Sequence, residues 1–596
     1  MAYFHTSRMG LGHFSSDHHK HIIYQLVLRL FSNTKTRNKP FGTIRENGCG
    51  KFNDITPTVL TALKQLGVTH IWYTGVLEHS TMTDYAAFGM PADDPRIVKG
   101  RAGSPYAIRD YYDVDPDLSS DVHNRMHEFE QMIVRTREAG LRSIIDFIPN
   151  HVARSYASDM NPGHHPDFGA KDDTSVIFSP GNDFLYLPGK TFQPPADYQP
   201  LGGMRFPSSA MHYREYPARV TGNDVYSESP SSNDWFETVK LNFGIDPHPP
   251  HPCFFDPVPP VWEKLLDILL YWAAKGVDGF RCDMAEMVPA EFWEWVIPCV
   301  KTRYPDILFI AEIYKPELYV RYLEKGYFDY LYDKVRLYDT LTGVLKGQTA
   351  ADEITYCAKS VELYPEKMLS FMENHDEERL AAPGSVGDAE AVLPAMSVCA
   401  LLSKGPVMIY FGQESGETAA ENVGFGGNRM RTSIFDYCGV PAHQLWFNKG
   451  RCDGGGFSDQ QLKLFNAYRE LLCFAKQAPA VYQGGFYDLQ YANRHHLSEG
   501  FDERFIYAFI RHCQSQKLLI IVNFSKTQQF NTYVKIPPEA LSHIGMSGSS
   551  VVKFRVLLGG DEERMIELSR LYKEADRYSG ISITLNPKSV KILELS

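Results

Sequence analysis

Four short segments hold the residues most able to do chemistry. They are Asp146-Phe147-Ile148-Pro149-Asn150-His151, Gly279-Phe280-Arg281-Cys282-Asp283, Ile310-Ala311-Glu312 and Glu373-Asn374-His375-Asp376. Each ends a run that reads as a buried β-strand, and helices or longer insertions separate the runs. Polar residues at the C-terminal ends of successive buried strands are what a (β/α)8 barrel uses for chemistry. Three carboxylates, Asp283, Glu312 and Asp376, come from three different strands. Cleavage of a sugar bond through a covalent intermediate needs two carboxylates. A third can hold the substrate.

Placing these residues takes alternating strands and helices. Residues 22–32 are β-rich and read as the first strand. A short helix at 60–66 and a second strand at 68–76 follow. Residues 126–140 have helical spacing and end at a glycine stop signal, and 142–148 is a third, mostly apolar strand. Helix 262–276, strand 277–281, helix 289–304 and strand 307–313 continue the pattern. Strands at 327–331, 367–372 and 406–411 complete eight, and 458–476 reads as the last barrel helix. The expected fold class is therefore α/β, a (β/α)8 TIM barrel.

Two stretches break the alternation. Residues 153–250 are rich in Pro, Gly, Asp, His and Tyr and show no periodicity. A structureless loop of that length is implausible in a compact domain, so the stretch reads as an inserted domain after strand 3. Beyond 480 come short alternating strands at 504–511, 517–522, 551–557, 581–585 and 590–595, which read as a C-terminal antiparallel β-sandwich. The expected division is barrel 1–152 and 251–479, inserted domain 153–250, and sandwich 480–596.

The net charge of −12 leaves no basic excess to neutralise phosphates, which argues against nucleic acid as a partner. The ten cysteines are scattered with no CxxC pair, so neither a metal cluster nor a disulfide framework is expected. Free thiols suit a reducing compartment. No apolar run reaches the roughly 18 residues of a membrane helix. The first 20 residues are polar and His-rich, without a leader-like apolar core. A cytoplasmic protein with no membrane partner is the expectation. His248, His251 and Cys253 sit close together, but their Pro-rich context reads as a solvated linker rather than a metal site.

The four segments, in this order and each at a strand end, resemble the α-amylase family, glycoside hydrolase family 13. Ser104-Pro105-Tyr106 through Asp110-Tyr111-Tyr112 and Tyr410-Phe411-Gly412-Gln413-Glu414 support the resemblance. It implies that Asp283 is the nucleophile, Glu312 the general acid/base, and Asp376 a ligand of sugar hydroxyls. It implies that His375 and His151 donate hydrogen bonds to the sugar being cleaved and that Tyr106 stacks beneath it. Asp146 and Asn150 read as loop organisers that hydrogen-bond Arg281, and Asp110 as structural. Arg281 and Asp283, two residues apart, share one face of their strand. The guanidinium is then expected to lower the Asp283 pKa, while burial after an apolar strand is expected to raise that of Glu312. In retaining enzymes the two carboxyls lie about 5–5.5 Å apart.

The chain departs from the family at its structural calcium site. Asn150 fits one ligand position, but Lys240 and Met287 stand where the family has Asp and His. Calcium takes hard oxygen ligands, so no metal and no cofactor are expected, with the Lys240 ammonium filling the void and bonding carbonyls. Glu286-Met287 replaces the common Lys-His pair. Glu286 is therefore a candidate substrate-binding residue on the acceptor side, and the run Glu377-Glu378-Arg379 is unusually charged. The leading expectation is a retaining hydrolase of maltooligosaccharides or a related α-glucan. One rival is a transglycosylase, isomerase or phosphorylase of the same family. The other is an inactive carbohydrate-binding protein, which conflicts with the presence of Arg281 and all three carboxylates.

Overall fold

A computed structural model describes residues 19–203, 212–419, 424–425, 430–546, 551–560 and 563–596. The polar N-terminal stretch lies, up to residue 18, outside the described residues. Eight parallel strands close into a barrel in chain order: β1 Ile22–Val27, β2 His70–Thr74, β3 Arg142–Phe147, β4 Gly279–Cys282, β5 Leu308–Ala311, β6 Tyr330–Tyr332, β7 Met368–Phe371 and β8 Val407–Tyr410.

Local sequence explains the helices around it. Pro57–Gln65 starts with Pro at its first turn, and the Thr56 side chain accepts from Val59 N. Asp459–Gln477 opens on a reciprocal Ser458/Gln461 capping box. Pro260–Ala274 buries Trp262, Leu265, Ile268, Leu269 and Trp272, an apolar stripe at helical spacing that packs on the barrel.

The first strand is shorter than its composition suggests. Residues Leu28–Phe31 turn into a short helix. Arg29, 2% exposed, reaches His79 Nε2 at 2.6 Å and Ile434 O at 3.2 Å, partners a continuing strand would not reach.

Two long excursions rise from the C-terminal ends of β2 and β3. The first carries an antiparallel hairpin, Leu77–His79 with Ile108–Val114. The second pairs His151–Ala153 with Thr238–Lys240 and Tyr186–Leu187 with Ala218–Arg219. Its small core of Leu185, Leu187, Phe192, Ala218 and Val220 is joined by Ile97 of the first excursion. Arg154 is buried there, 2.7 Å from Glu215 Oε1 and 3.8 Å above the Phe192 ring.

The C-terminal region is a six-stranded antiparallel sheet with a two-stranded sheet, Phe530–Val534 and Ile581–Leu585, against it. Strand Lys517–Asn523 shows why its sequence is continuously apolar. Leu518, Ile520 and Val522 pack into the barrel's core, while Leu519 and Ile521 pack toward the two-stranded sheet. No helix among the described residues is long and apolar enough to cross a membrane.

Candidate active site

The mouth of the barrel is organised by one side chain. Arg281, on β4 and fully buried, lies 2.8 Å from Asp283 Oδ1 through Nη1 and 3.5 Å from Asp146 Oδ1. Its Nη2 lies 2.8 Å from Glu312 Oε2, an ion pair set off the line of a hydrogen bond. Nε donates to the Tyr332 hydroxyl at 3.2 Å. The rings of Trp72, Tyr106 and Tyr332 surround the guanidinium at 5.2–5.7 Å. One cation from β4 thus gathers carboxylates from the ends of β3, β4 and β5.

The turn after β4 places the rest. Met284 takes a left-handed conformation (φ 43°, ψ 45°), rare for a residue with a side chain. Its N–H thereby donates to Glu312 Oε2 at 2.8 Å. The other oxygen, Oε1, accepts from the Tyr314 hydroxyl at 2.5 Å. Glu312 is 3% exposed.

After β7, His375 Nδ1 lies 2.7 Å from Gln25 Nε2, and its Nε2 lies 2.5 Å from the Tyr106 hydroxyl and 3.0 Å from Asp376 Oδ2. Tyr106 stacks on the His375 ring with centroids 5.3 Å apart. The Asp376 side chain is 45% exposed and forms the rim of the site. His151 is buried with its Nδ1 3.1 Å from Asn150 Nδ2, and its ring lies 5.2 Å from that of Trp235.

Charge balance sets the protonation of this cluster. Three buried carboxyls share one guanidinium. For Asp283, burial pushes the pKa up, Arg281 pulls it down, and Glu312 adds to the rise, leaving it well above the ordinary carboxylate range. Burial likewise raises Asp146 against the pull of Arg281. The expectation that Arg281 would lower Asp283 counted only the sequence neighbour and missed the two other carboxyls. Asp283 and Asp146 thus hold a proton to higher pH than an ordinary carboxyl does. Asp376 has the opposite sign. Burial opposes ionisation there, but His375, Arg281 and Arg431 outweigh it and lower the pKa to about 2. Burial, then the Lys240 charge, lowers His151 to about 3, so it is a neutral hydrogen-bonding ring at neutral pH.

The structure brings together Asp283, Glu312, Arg281, His375 and Tyr106, with Asp376 at the rim. Glu286 makes contacts that its position after Asp283 does not announce. Its Oε2 accepts from the backbone N–H groups of Tyr314 at 2.8 Å and Lys315 at 3.1 Å, so it pins the loop after β5. Sequence reasoning missed Gln25, Trp72, Tyr314 and Tyr332. Gln25 had a signal, being the polar residue in the apolar run of β1. Tyr314 had one too, two residues after Glu312.

The family's calcium position does not fit calcium. Asn150 Oδ1 is a buried oxygen without a hydrogen-bond partner, but the strand paired beside it brings the Lys240 ammonium, and the chain has Met287 where the family has His. Lys240 Nζ reaches a carboxylate, Asp224 Oδ2, at 3.2 Å. Among the described residues, Glu78, Asp110 and Asp159 do bring three carboxylate oxygens within 4.8 Å of one another. Asp110, however, already accepts from Tyr112 N, Ser158 Oγ, Asp159 N and Met160 N at 2.7–3.1 Å, which uses its lone pairs. None of the ten cysteines is in a disulfide.

A closed parallel barrel with strand-end carboxylates at its C-terminal mouth defines a (β/α)8 scaffold of the kind that carries catalytic sites there. The family model described as "Alpha amylase, catalytic domain" matches residues 26–175 and 257–484, and the chain belongs to this family. Among curated relatives, "Alpha-amylase MalA" of Haloarcula japonica is 25% identical over 66% of this chain and 44% of its own length. An "Alpha-1,4-glucan:maltose-1-phosphate maltosyltransferase" of Cereibacter sphaeroides is 31% identical over 22% of each chain. The chain thus spans less than half the length of either relative. The solved structure of a noncanonic maltogenic α-amylase, AmyB from Thermotoga neapolitana, has a TM-score of 0.58 at 16% identity, over 96% of this chain and 98% of that one. That likeness is one of fold.

Proposed function

We propose that the protein is a retaining enzyme that cleaves α-glucosidic bonds in maltooligosaccharides or a related α-glucan. The observation that carries this reading is the grip of Arg281 on both Asp283 and Glu312, which holds two carboxyls from adjacent strands within the span of one guanidinium. Glu312 gives its proton to the leaving glycosidic oxygen while Asp283 attacks the anomeric carbon. The bond from that carbon to the leaving oxygen breaks, and a glycosyl–Asp283 ester forms. Glu312 then takes a proton from water, which displaces Asp283, and the product keeps its α configuration. His375, His151 and Tyr106 line the sugar being cleaved, and Asp376 holds its hydroxyls.

A second reading shares the first half-reaction and passes the glycosyl group to a sugar hydroxyl or phosphate. The likeness to a maltosyltransferase favours it. Incubation with maltoheptaose, followed by chromatography and proton NMR beside Asp283→Asn, separates the two. Shorter oligosaccharides released as α-anomers by the wild type alone support the hydrolase. Longer chains or new linkages support transfer. No turnover of any α-glucoside, with or without phosphate, overturns both.

A further inference from the structure

Resting on this reading, we propose that Tyr314 is a positioning residue for the acid step. Its phenol holds Glu312 Oε1 in place, and Glu286 in turn holds the loop that carries Tyr314. The phenol donates to Oε1 at 2.5 Å, and the Tyr314 N–H donates to Glu286 Oε2 at 2.8 Å. Two donors and one cation therefore meet one carboxyl: Tyr314 donates to Oε1, the Met284 N–H donates to Oε2, and the Arg281 guanidinium pairs with Oε2 by charge. Oε2 is occupied by groups of the nucleophile strand and the turn that follows it. Oε1, held among the described residues by one side chain on a loop, is the oxygen placed to change partners when substrate arrives.

The phenol stays a donor throughout. Burial, then the charges of Glu312 and Asp376, push its pKa well above the ordinary value. The charged and titratable groups around Glu312 are Arg281 and Asp283 from β4, Asp146 from β3, Tyr332 from β6, Asp376 after β7, and Tyr314 on its own loop. Of these, Tyr314 and Tyr332 are the two whose hydroxyl can be deleted without changing the charge of the cluster; Tyr332 accepts from Arg281, and Tyr314 is the one that bonds Glu312. Hydrogen bonds to the ionised form favour it, so removing this one raises the acid's affinity for its proton.

The test is Tyr314→Phe, assayed on maltoheptaose and on α-glucosyl fluoride, whose leaving group departs without protonation. The expected result is a drop of roughly tenfold or more in kcat on maltoheptaose, little change on the fluoride, and a basic limb of kcat/KM moved up by about one pH unit, the effect of one hydrogen bond to a charged group. Glu286→Ala, which frees the loop, is expected to move both readouts in the same direction by less. Equal losses on both substrates, or an unmoved basic limb, would assign Tyr314 to packing alone and overturn the proposal. If the wild type turns over neither substrate, the glycosidase reading falls and this inference with it.

Discussion

Two buried arginines do opposite things in this molecule. Arg281 at the barrel mouth faces Asp283, Glu312 and Asp146. Arg511, at the seam between barrel and C-terminal sheet, turns its donors to backbone carbonyls. It donates to Ala480 O, Leu402 O, Val481 O and Gly484 O at 2.8–3.2 Å. Burial raises the cost of both charges, but the carboxylates around Arg281 more than offset it, and its pKa ends well above the ordinary value. Carbonyls satisfy the donors of Arg511 without neutralising it, and burial lowers its pKa to about 9. A cation among carboxylates makes a cluster that can lose and regain a proton. A cation among carbonyls makes a latch.

The comparison breaks most visibly at the mouth. Arg281→Lys keeps the charge but loses the planar fork that holds two carboxyls at once. We expect kcat/KM to fall roughly 10³-fold, about 4 kcal/mol of transition-state stabilisation, in steady-state assays. A loss under about tenfold would mean the fork is dispensable. Arg511→Met should do the reverse. Four buried carbonyls lose their donor, which costs roughly 3 kcal/mol or more and lowers Tm, while kcat per folded molecule stays unchanged. A selective loss of activity in this variant would erase the distinction between the two arginines.

The pH dependence sharpens it further. Asp283 has a raised pKa in the fold. Its favourable contribution is therefore present below the unfolded value and is lost as pH rises toward the folded one. Asp283→Asn should melt above the wild type at neutral pH, with the gap closing as pH falls into the ordinary carboxylate range. Asp376, lowered to about 2, has the opposite sign. Asp376→Asn should melt below the wild type at neutral pH, with that smaller gap closing only as pH falls toward the folded value. Melting curves across pH decide both. The smallest expected effect is that of a chelator, which should leave Tm unmoved, since Lys240 and Met287 offer calcium no hard oxygen. A clear drop in Tm would return a metal to the excursion after β3.

The strand ends were readable because a barrel strand carries its signal locally. An apolar run followed by Arg281-Cys282-Asp283 or Ala311-Glu312 shows both the burial and the polar residue that escapes it. The double burial of Lys517–Asn523 was readable as an apolar run, though the run does not say what lies on either side. Gln25 could be noticed as polar among apolar residues, but its partner His375 lies 350 residues away in sequence and meets it only because β1 closes on β8. The hold of Glu286 on the loop after β5 was not readable either, because Tyr314 and Lys315 meet its carboxylate only in the fold.

By itself the sequence determined the kind of barrel, the residues at its mouth and the family they resemble, because alternation and strand-end polarity are short-range properties of the chain. Only the tertiary structure decided how the charges balance. A pKa depends on every group within a few ångströms, and around Asp283 those groups come from three strands. Arg281 is its neighbour in sequence, and Glu312 and Asp146 are its neighbours only in space. Together with burial they reverse the sign that the sequence neighbour alone implied.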